Sequence, residues 1–452
     1  MPTFSFWNDP GSTLHPASAM DFLPAPQLRA LQLHRLQNIA RHTFDNVPFV
    51  RAKMDKAGVT PGDIQTLADI ERIPFSVKSD LRDTYPYGLF AVPMDEVVRL
   101  HASSGTTGKP IVVGYTAGDM RVWANVVLRS LAAIGVTSND VLHNAYGYGL
   151  FTGGLGLHVG GEAMGCAVIP VSGGNTDRQL MILQDFGVTA ISSTPSYFLH
   201  ILDEAGKKGV DVRALPLRLG IFGAEPWTEE MRRRIEDAAG IKAYDIYGLS
   251  EIIGPGVAME CQSQRGLHIF EDHFYPEIID PDTCRVLPDG EIGELVLTTL
   301  SKAATPMLRY RTRDLSRLVA EPCACGRTLR RLERISARSD DMLIIRGVNL
   351  FPSQIETALL SVEQTLPHYH IIVSRQNDLD QIEVQVEITP SVASDDIRSM
   401  QLLRQRIVTA VERVTNLRVN VSLVQPNTLQ RSEGKARRVT DLRKLNPQGT
   451  PP

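Results

Sequence analysis

Ser103-Ser104-Gly105-Thr106-Thr107-Gly108-Lys109-Pro110 follows closely on the strand-like run Glu96-Val97-Val98-Arg99-Leu100. A strand that opens into hydroxyls, two glycines and a lysine can wrap a polyphosphate. The glycines let backbone N–H groups approach the anion, and the hydroxyls and ammonium add charge-assisted bonds. The stretch is not a Walker A loop, which needs glycine where Ser103 stands and a hydroxyl residue where Pro110 stands. Taken alone it also fits a solvated turn, so its meaning rests on its surroundings. Downstream, short apolar strands at 141–144, 167–170, 190–193 and 219–222 alternate with helical patterns at 118–134, 177–186, 196–206 and 228–238. That alternation predicts an α/β fold with a strong parallel component. Upstream, Leu28, Leu31, Leu33, Leu36, Ile39 and Ala40 mark an amphipathic helix over 25–45. From 267 to 320 the texture becomes turn-rich β, with Pro288-Asp289-Gly290 ahead of the strand 293–300. The last hundred or so residues read as a small α+β module, with strands at 368–374, 382–388 and 417–424 and a helix at 396–414.

A chain of 452 residues has room for two or three domains, and 43% hydrophobic with 22% charged residues is ordinary globular composition. The net charge of −4 gives no broad basic field to draw nucleic acid or an anionic membrane. Five cysteines are too few, and odd in number, for a disulfide framework, which predicts a reducing, cytoplasmic setting. The first residues, Met1-Pro2-Thr3-Phe4-Ser5-Phe6-Trp7, lack a cationic segment followed by an apolar run, so no secretion signal is expected. No apolar run reaches the length of a membrane span.

Four further motifs follow in order. In Asp245-Ile246-Tyr247-Gly248-Leu249-Ser250-Glu251 an apolar approach ends in an aromatic, a glycine, a hydroxyl and a carboxylate. At the carboxyl end of a parallel strand, Tyr247 could stack on a purine while Glu251 holds magnesium; an ordinary strand-to-helix turn would look the same. In Arg309-Tyr310-Arg311-Thr312-Arg313-Asp314-Leu315, Asp314 could accept both hydroxyls of a ribose, or merely pair with neighbouring arginines. Arg334-Ile335-Ser336-Ala337-Arg338-Ser339-Asp340-Asp341 runs into Met342-Leu343-Ile344-Ile345-Arg346-Gly347-Val348-Asn349, and Ser432-Glu433-Gly434-Lys435 stands near the C-terminus.

Order and spacing together make the chain resemble the adenylate-forming superfamily of acyl-CoA synthetases and nonribosomal adenylation domains. Within it, the chain is similar to the phenylacetate–CoA ligase family. The narrower likeness is carried by Tyr146-Gly147-Tyr148-Gly149-Leu150-Phe151-Thr152-Gly153-Gly154, Ile221-Phe222-Gly223-Ala224-Glu225-Pro226-Trp227, Glu271-Asp272-His273-Phe274-Tyr275-Pro276 and Arg338-Ser339-Asp340-Asp341-Met342-Leu343, and it spans about 25–445. Arg313 stands where many superfamily members have glycine, a departure shared by the phenylacetate branch.

The resemblance implies the adenylate-forming fold, with a large N-terminal domain over 1–339 and a small mobile domain over 340–452 hinged at Asp340. It implies an ATP-, Mg2+- and CoA-dependent acid–thiol ligase acting on an aromatic acid through an acyl-adenylate. Lys435, Thr106, Thr107 and Glu251 would be catalytic, with Glu251 on the magnesium. Ser103, Ser104, Gly105, Gly108 and Lys109 would cradle phosphates. Ala224, Glu225, Pro226 and Tyr247 would surround adenine, Asp314 would take the ribose, Arg338 would lie near ribose or phosphate, and Asp245, Gly248 and Ser250 would also belong to the cofactor site. Gly347 would line the CoA tunnel, and Tyr146, Tyr148, Phe151, Gly153 and Gly223 the acid pocket. Phenylacetate, indoleacetate and substituted benzoates or anthranilates all fit such a pocket. A carrier-protein phosphopantetheine would be an alternative acceptor to CoA, a non-catalytic nucleotide-binding protein an alternative of another class, and a homodimer is left open.

One cluster stands apart from these motifs. Cys323-Ala324-Cys325-Gly326 puts two thiols on a tight turn, and Cys261 and His268 flank another turn at Arg265-Gly266. Together they could form a Cys3His tetrahedron for structural zinc, with no open position for catalysis; four unrelated side chains would be the other reading.

Overall fold

The parallel strands expected from the alternating pattern lie side by side. The computed structural model describes residues 15–103, 110–335, 337–339, 343–345, 348–376, 379–389, 397–415, 417–426, 428–429 and 438–444. Ser104, Gly105, Thr106, Thr107, Gly108, Lys109, Asp340, Gly347 and Lys435 fall outside them. Val141–Asn144 pairs in parallel with Ala167–Ile169 and Ala190–Ser193, and the series continues through Leu219–Gly223 to Lys242–Leu249. Gly254–Glu260 and Leu267–Ile269 then extend the sheet antiparallel, and Leu318–Val319 closes a nine-stranded array. Helices Thr176–Asp185, Pro195–Lys207 and Glu229–Ala239 make the crossovers, as short βαβ connections require. Their N-termini are capped by Asn175, Thr194 and Thr228, whose side chains accept from the first-turn amides.

The turn-rich stretch forms a four-stranded antiparallel sheet of Phe274–Ile279, Gly293–Thr299, Tyr310–Ser316 and Ala337–Arg338. The hairpin Val97–Ser103 and Ile111–Thr116 brackets the glycine-rich stretch. In the small module, Thr365–Gln376 is flanked by Leu379–Ile388 and Val439–Asp441, with Asn420–Val424 beyond and helices Pro352–Leu360 and Ile397–Thr415 packed against the sheet. Its core runs only from Leu343 to Val421, whereas the main core of the large part runs from Leu28 to Leu332.

Two helices that the sequence pattern hides are Thr152–Met164 and Pro352–Leu360. The first carries glycine at 153, 154, 156, 160 and 161, and reads as a loop. The glycines serve contact instead: a Cβ on Gly160 would lie 2.1 Å from Val127 Cγ1 of helix Ala117–Ala133. Gly223 and Ile246 pair at the carboxyl ends of two adjacent parallel strands, the edge at which open α/β sheets bind ligands.

Candidate active site

Tyr247 ends the strand Lys242–Leu249 and turns its hydroxyl onto Asp314 Oδ2, 2.6 Å away. Arg338 Nη1 donates to Asp314 Oδ1 at 2.9 Å, because strand pairing sets Asp314 directly opposite Arg338. The neighbouring arginines go elsewhere: Arg311 Nη2 and Arg313 Nη1 reach Glu294 Oε2 at 2.7 and 3.3 Å. Asp314 is therefore not a partner of its own strand's arginines, but the centre of a buried phenol–carboxylate–guanidinium group. Such a carboxylate is preorganised to accept hydroxyls, and the face of Tyr247 is free of that hydrogen bond for stacking.

The segment Ala224-Glu225-Pro226 follows strand Leu219–Gly223. A Cβ at Gly223 would lie 2.3 Å from the Ile246 carbonyl, so only glycine lets these two strands turn out together. Ala224 takes φ +67°, and Glu225 Oε1 accepts from Ser196 N at 2.8 Å, at the start of helix Pro195–Lys207. Behind this loop, the guanidinium groups of Arg232 and Arg334 lie over the Trp227 ring, 5.1 and 4.6 Å from its centre. Arg334 Nε lies 3.4 Å from Asp245 Oδ2, and Arg232 Nη2 lies 2.7 Å from Glu260 Oε1. Burial, then the nearby Glu260 carboxylate, push Asp245 up to about 7. Asp245 thus sits in a buried ion cluster beneath the Ala224-Glu225-Pro226 loop. The arginines that complete it were not legible from sequence.

Glu251 and Ser250 follow Tyr247 at the strand end. Ser250 Oγ bonds Thr152 Oγ1 at 3.0 Å, tying the turn to the glycine-rich helix. Lys302, which the motif reading missed, is buried against this turn. Its Nζ donates to the Glu251 carbonyl at 3.2 Å and lies 4.8 Å from the Tyr115 ring centre. Burial pulls Lys302 down to about 8, while Asp119 and Glu251 hold it up. The only sequence signal was a lone lysine among the small or apolar residues Leu300, Ser301, Ala303 and Ala304. Ser103 Oγ, at the mouth of the glycine-rich stretch, is buried and without a hydrogen-bond partner among the described residues.

Beside this, Tyr146 is buried, and a Cβ on Gly153 would stand 3.7 Å from its ring. Tyr148 Oη accepts from Asn144 Nδ2 at 2.8 Å and bonds His158 Nδ1 at 3.2 Å. Gly153 thus packs near the Tyr146 ring, whereas Phe151 is 51% exposed beside Leu150.

The cysteine cluster is assembled from parts distant in sequence. Ligand atoms of Cys261, His268, Cys323 and Cys325 all lie within 4.8 Å of one another. Cys261 Sγ is 3.6 Å from Cys323 Sγ, and Cys325 Sγ is 3.3 Å from His268 Nε2. A tetrahedron with bonds of about 2.3 Å has edges of about 3.8 Å, so these spacings fit zinc. His268 Nδ1 lies 3.1 Å from the Leu329 carbonyl, which leaves Nε2 to face the thiols.

Two family models cover the chain: AMP-binding enzyme over residues 24–303, and AMP-binding enzyme C-terminal domain over 347–443. The chain is 52% identical over 439 residues to the phenylacetate-coenzyme A ligase of Thermus thermophilus, covering 94% of this chain and 99% of that one. It is 50% identical to the Escherichia coli K12 phenylacetate-coenzyme A ligase, covering 93% and 96%. Among solved structures, 2-hydroxyisobutyryl-CoA ligase in its postadenylation state, with R3-HIB-AMP bound, matches at TM-score 0.89 and 30% identity, covering 95% and 94%. In its thioesterification state, with 2-HIB-AMP and CoA, the same relative matches at 0.71, with 31% identity and the same coverage. Coverage hardly changes between the two, so the drop reports the arrangement of parts: the present chain is arranged like the postadenylation state.

Proposed function

The chain belongs to the phenylacetate–CoA ligase family of the adenylate-forming superfamily, and from that premise we propose that its acid is phenylacetate or a close arylacetate. It is an ATP-dependent, AMP-forming acid–thiol ligase that works through an acyl-adenylate, with CoA as acceptor. End-to-end likeness to phenylacetate-coenzyme A ligases carries the substrate reading. The packing of Gly153 near the Tyr146 ring supports it.

The first step brings a carboxylate to a polyphosphate, so like charge is the obstacle. Lys435, Thr106, Thr107 and Lys109 supply the cations and donors around the α-phosphate, and removing one such preorganised donor costs about a hundredfold in rate. Magnesium, held through Glu251, would neutralise phosphate charge. Lys302 fixes the Glu251 main chain from behind. Asp314, held by Tyr247 and Arg338, takes the ribose, and Ala224, Glu225, Pro226 and Tyr247 frame the adenine. The small domain, beginning at Asp340, then turns and brings Gly347 and CoA to the adenylate, whose carbonyl the thiol attacks with release of AMP. The four-ligand cluster of Cys261, His268, Cys323 and Cys325 would hold zinc in a structural role. Five cysteines, too few and odd in number for a disulfide framework, support a reducing, cytoplasmic location.

The test is an assay across aromatic acids with ATP and Mg2+, with and without CoA, following AMP and thioester. Phenylacetate should give thioester only when CoA is present. Adenylate without thioester would move the acceptor to a carrier protein, and preference for a benzoate would replace the arylacetate.

A further inference from the structure

Strand Val97–Ser103 carries His101 close to its end, where the glycine-rich stretch begins. The imidazole is buried and stands edge-on to Tyr115 and Trp123, with ring centres 5.6 and 5.5 Å away. Those two rings stack on each other at 5.0 Å. Tyr115 Oη donates to the Ile253 carbonyl at 3.1 Å, and Trp123 Nε1 donates to the Pro255 carbonyl at 3.0 Å. The wall behind the histidine is thereby fastened to the chain just beyond Glu251.

On its other side, His101 Nδ1 lies 3.0 Å from the Leu150 carbonyl oxygen, and Ala102 N donates to the same oxygen at 2.9 Å. Burial lowers the proton affinity of the ring, and a carbonyl only accepts, so the imidazole is the neutral tautomer with its proton on Nδ1. Nε2 is buried with no hydrogen-bond partner among the described residues. Leu150 belongs to the run Tyr146–Phe151 assigned to the acid pocket. Gly149 before it takes φ +122°, and the side chains of Leu150 and Phe151 are both exposed, so packing does little to fix this segment. The two hydrogen bonds to the Leu150 carbonyl fix it instead, and they come from consecutive residues of the strand that leads into the phosphate stretch.

We propose that His101 is a positioning residue for adenylation: by holding the Leu150 carbonyl through Nδ1–H, it keeps the acid-side segment in register with the strand that leads into the phosphate stretch. Adenylation needs the carboxylate aimed at the α-phosphorus, and a misplacement of about 1 Å costs on the order of a hundredfold in rate. The role belongs to the first half-reaction, because in the acyl-adenylate the acid and the phosphate are already joined by a covalent bond. The inference rests on the reading of Tyr146–Phe151 as the acid side and of Ser103–Lys109 as the phosphate side.

The full-length enzyme tests it, with the half-reactions measured separately: phenylacetate-dependent ATP–pyrophosphate exchange, and thioester formation from synthetic phenylacetyl-adenylate plus CoA. Two controls address the underlying reading. Gly153→Leu must raise KM for phenylacetate in exchange, and Thr106→Ala must slow exchange; if either does not, that reading fails whatever His101 does. Given both, His101→Phe, which keeps a flat ring but has no donor, should cut kcat for exchange about tenfold or more with both KM values within about threefold, and leave thioester formation within about threefold. The amide nitrogen of asparagine is bonded to Cγ, as Nδ1 is, whereas that of glutamine stands one atom farther out. His101→Asn should therefore exchange at least about threefold faster than His101→Phe, and His101→Gln should not. Undiminished exchange in His101→Phe, equal losses in both half-reactions, or recovery by asparagine no better than by glutamine would overturn the assignment. If His101→Asn does not fold, the split between half-reactions in His101→Phe decides alone; if His101→Phe does not fold, the comparison of asparagine with glutamine decides.

Discussion

Buried histidines show how single residues set the working pH of this molecule. His143 sits at the heart of the parallel sheet with Nε2 against Gln179 Oε1, and burial, partly offset by Gln179, pulls it down to about 4. His273 is likewise pulled to about 4 by burial, against the pull of Asp272. Both are neutral when folded, whereas an unfolded chain protonates them near 6.5. Their contribution to stability is therefore complete above pH 6.5 and is lost as pH falls towards about 4, by roughly 3 kcal/mol each at most. Melting curves between pH 7 and 4 should show this decline, and His143→Asn should reduce its slope by about one proton. At this scale, sequence legibility depended on motif membership. Asp314, Tyr247, Arg338 and Glu251 stood out because their spacing was distinctive. Lys302 and Arg232 did not, because their roles come from burial and from partners elsewhere in the sequence, such as Lys302 on the Glu251 carbonyl; Arg334 stood inside a motif, but nothing in it showed its partner Asp245.

Between elements, contact distance overrides propensity. Helix Thr152–Met164 keeps glycines that weaken it as an isolated helix, since each costs about 1 kcal/mol relative to alanine. Gly160→Ala should nevertheless destabilise the protein, by about 1–3 kcal/mol, because the new methyl would overlap Val127. A denaturant titration reads the sign directly: propensity alone predicts a gain, packing a loss. The same conflict hid this helix from the sequence pattern, which registers periodicity but not a neighbour's backbone. The parallel strands were legible to within a residue or so, since each is a short apolar run between turn signals; the end of the 190–193 run matches Ala190–Ser193. Pro352–Leu360 went unread because its nine residues give too few turns to show a period.

At the scale of the whole molecule, the apolar cluster running from Leu343 to Val421 is separate from the main cluster, which ends at Leu332. The cysteine cluster belongs to the larger part, and the loop carrying Cys323 and Cys325 continues into Arg327, whose Nε reaches Asp21 Oδ2 at 3.0 Å. Metal bound there would brace the sheet edge and the N-terminal segment together. Purified protein should contain about one zinc per chain, and a strong chelator should lower Tm by several degrees while sparing thioester formation at low temperature, as measured by metal analysis, calorimetry and assay. Asp21 itself is wholly buried and is neutralised by Arg129, 108 residues on, and by Arg327, 306 residues on. A ribosome adding about 5–20 residues per second needs roughly 15–60 s to make that stretch. Until Arg327 emerges, the second oxygen of Asp21 lacks this partner. A nascent chain therefore cannot complete this buried ion group until synthesis has passed Arg327.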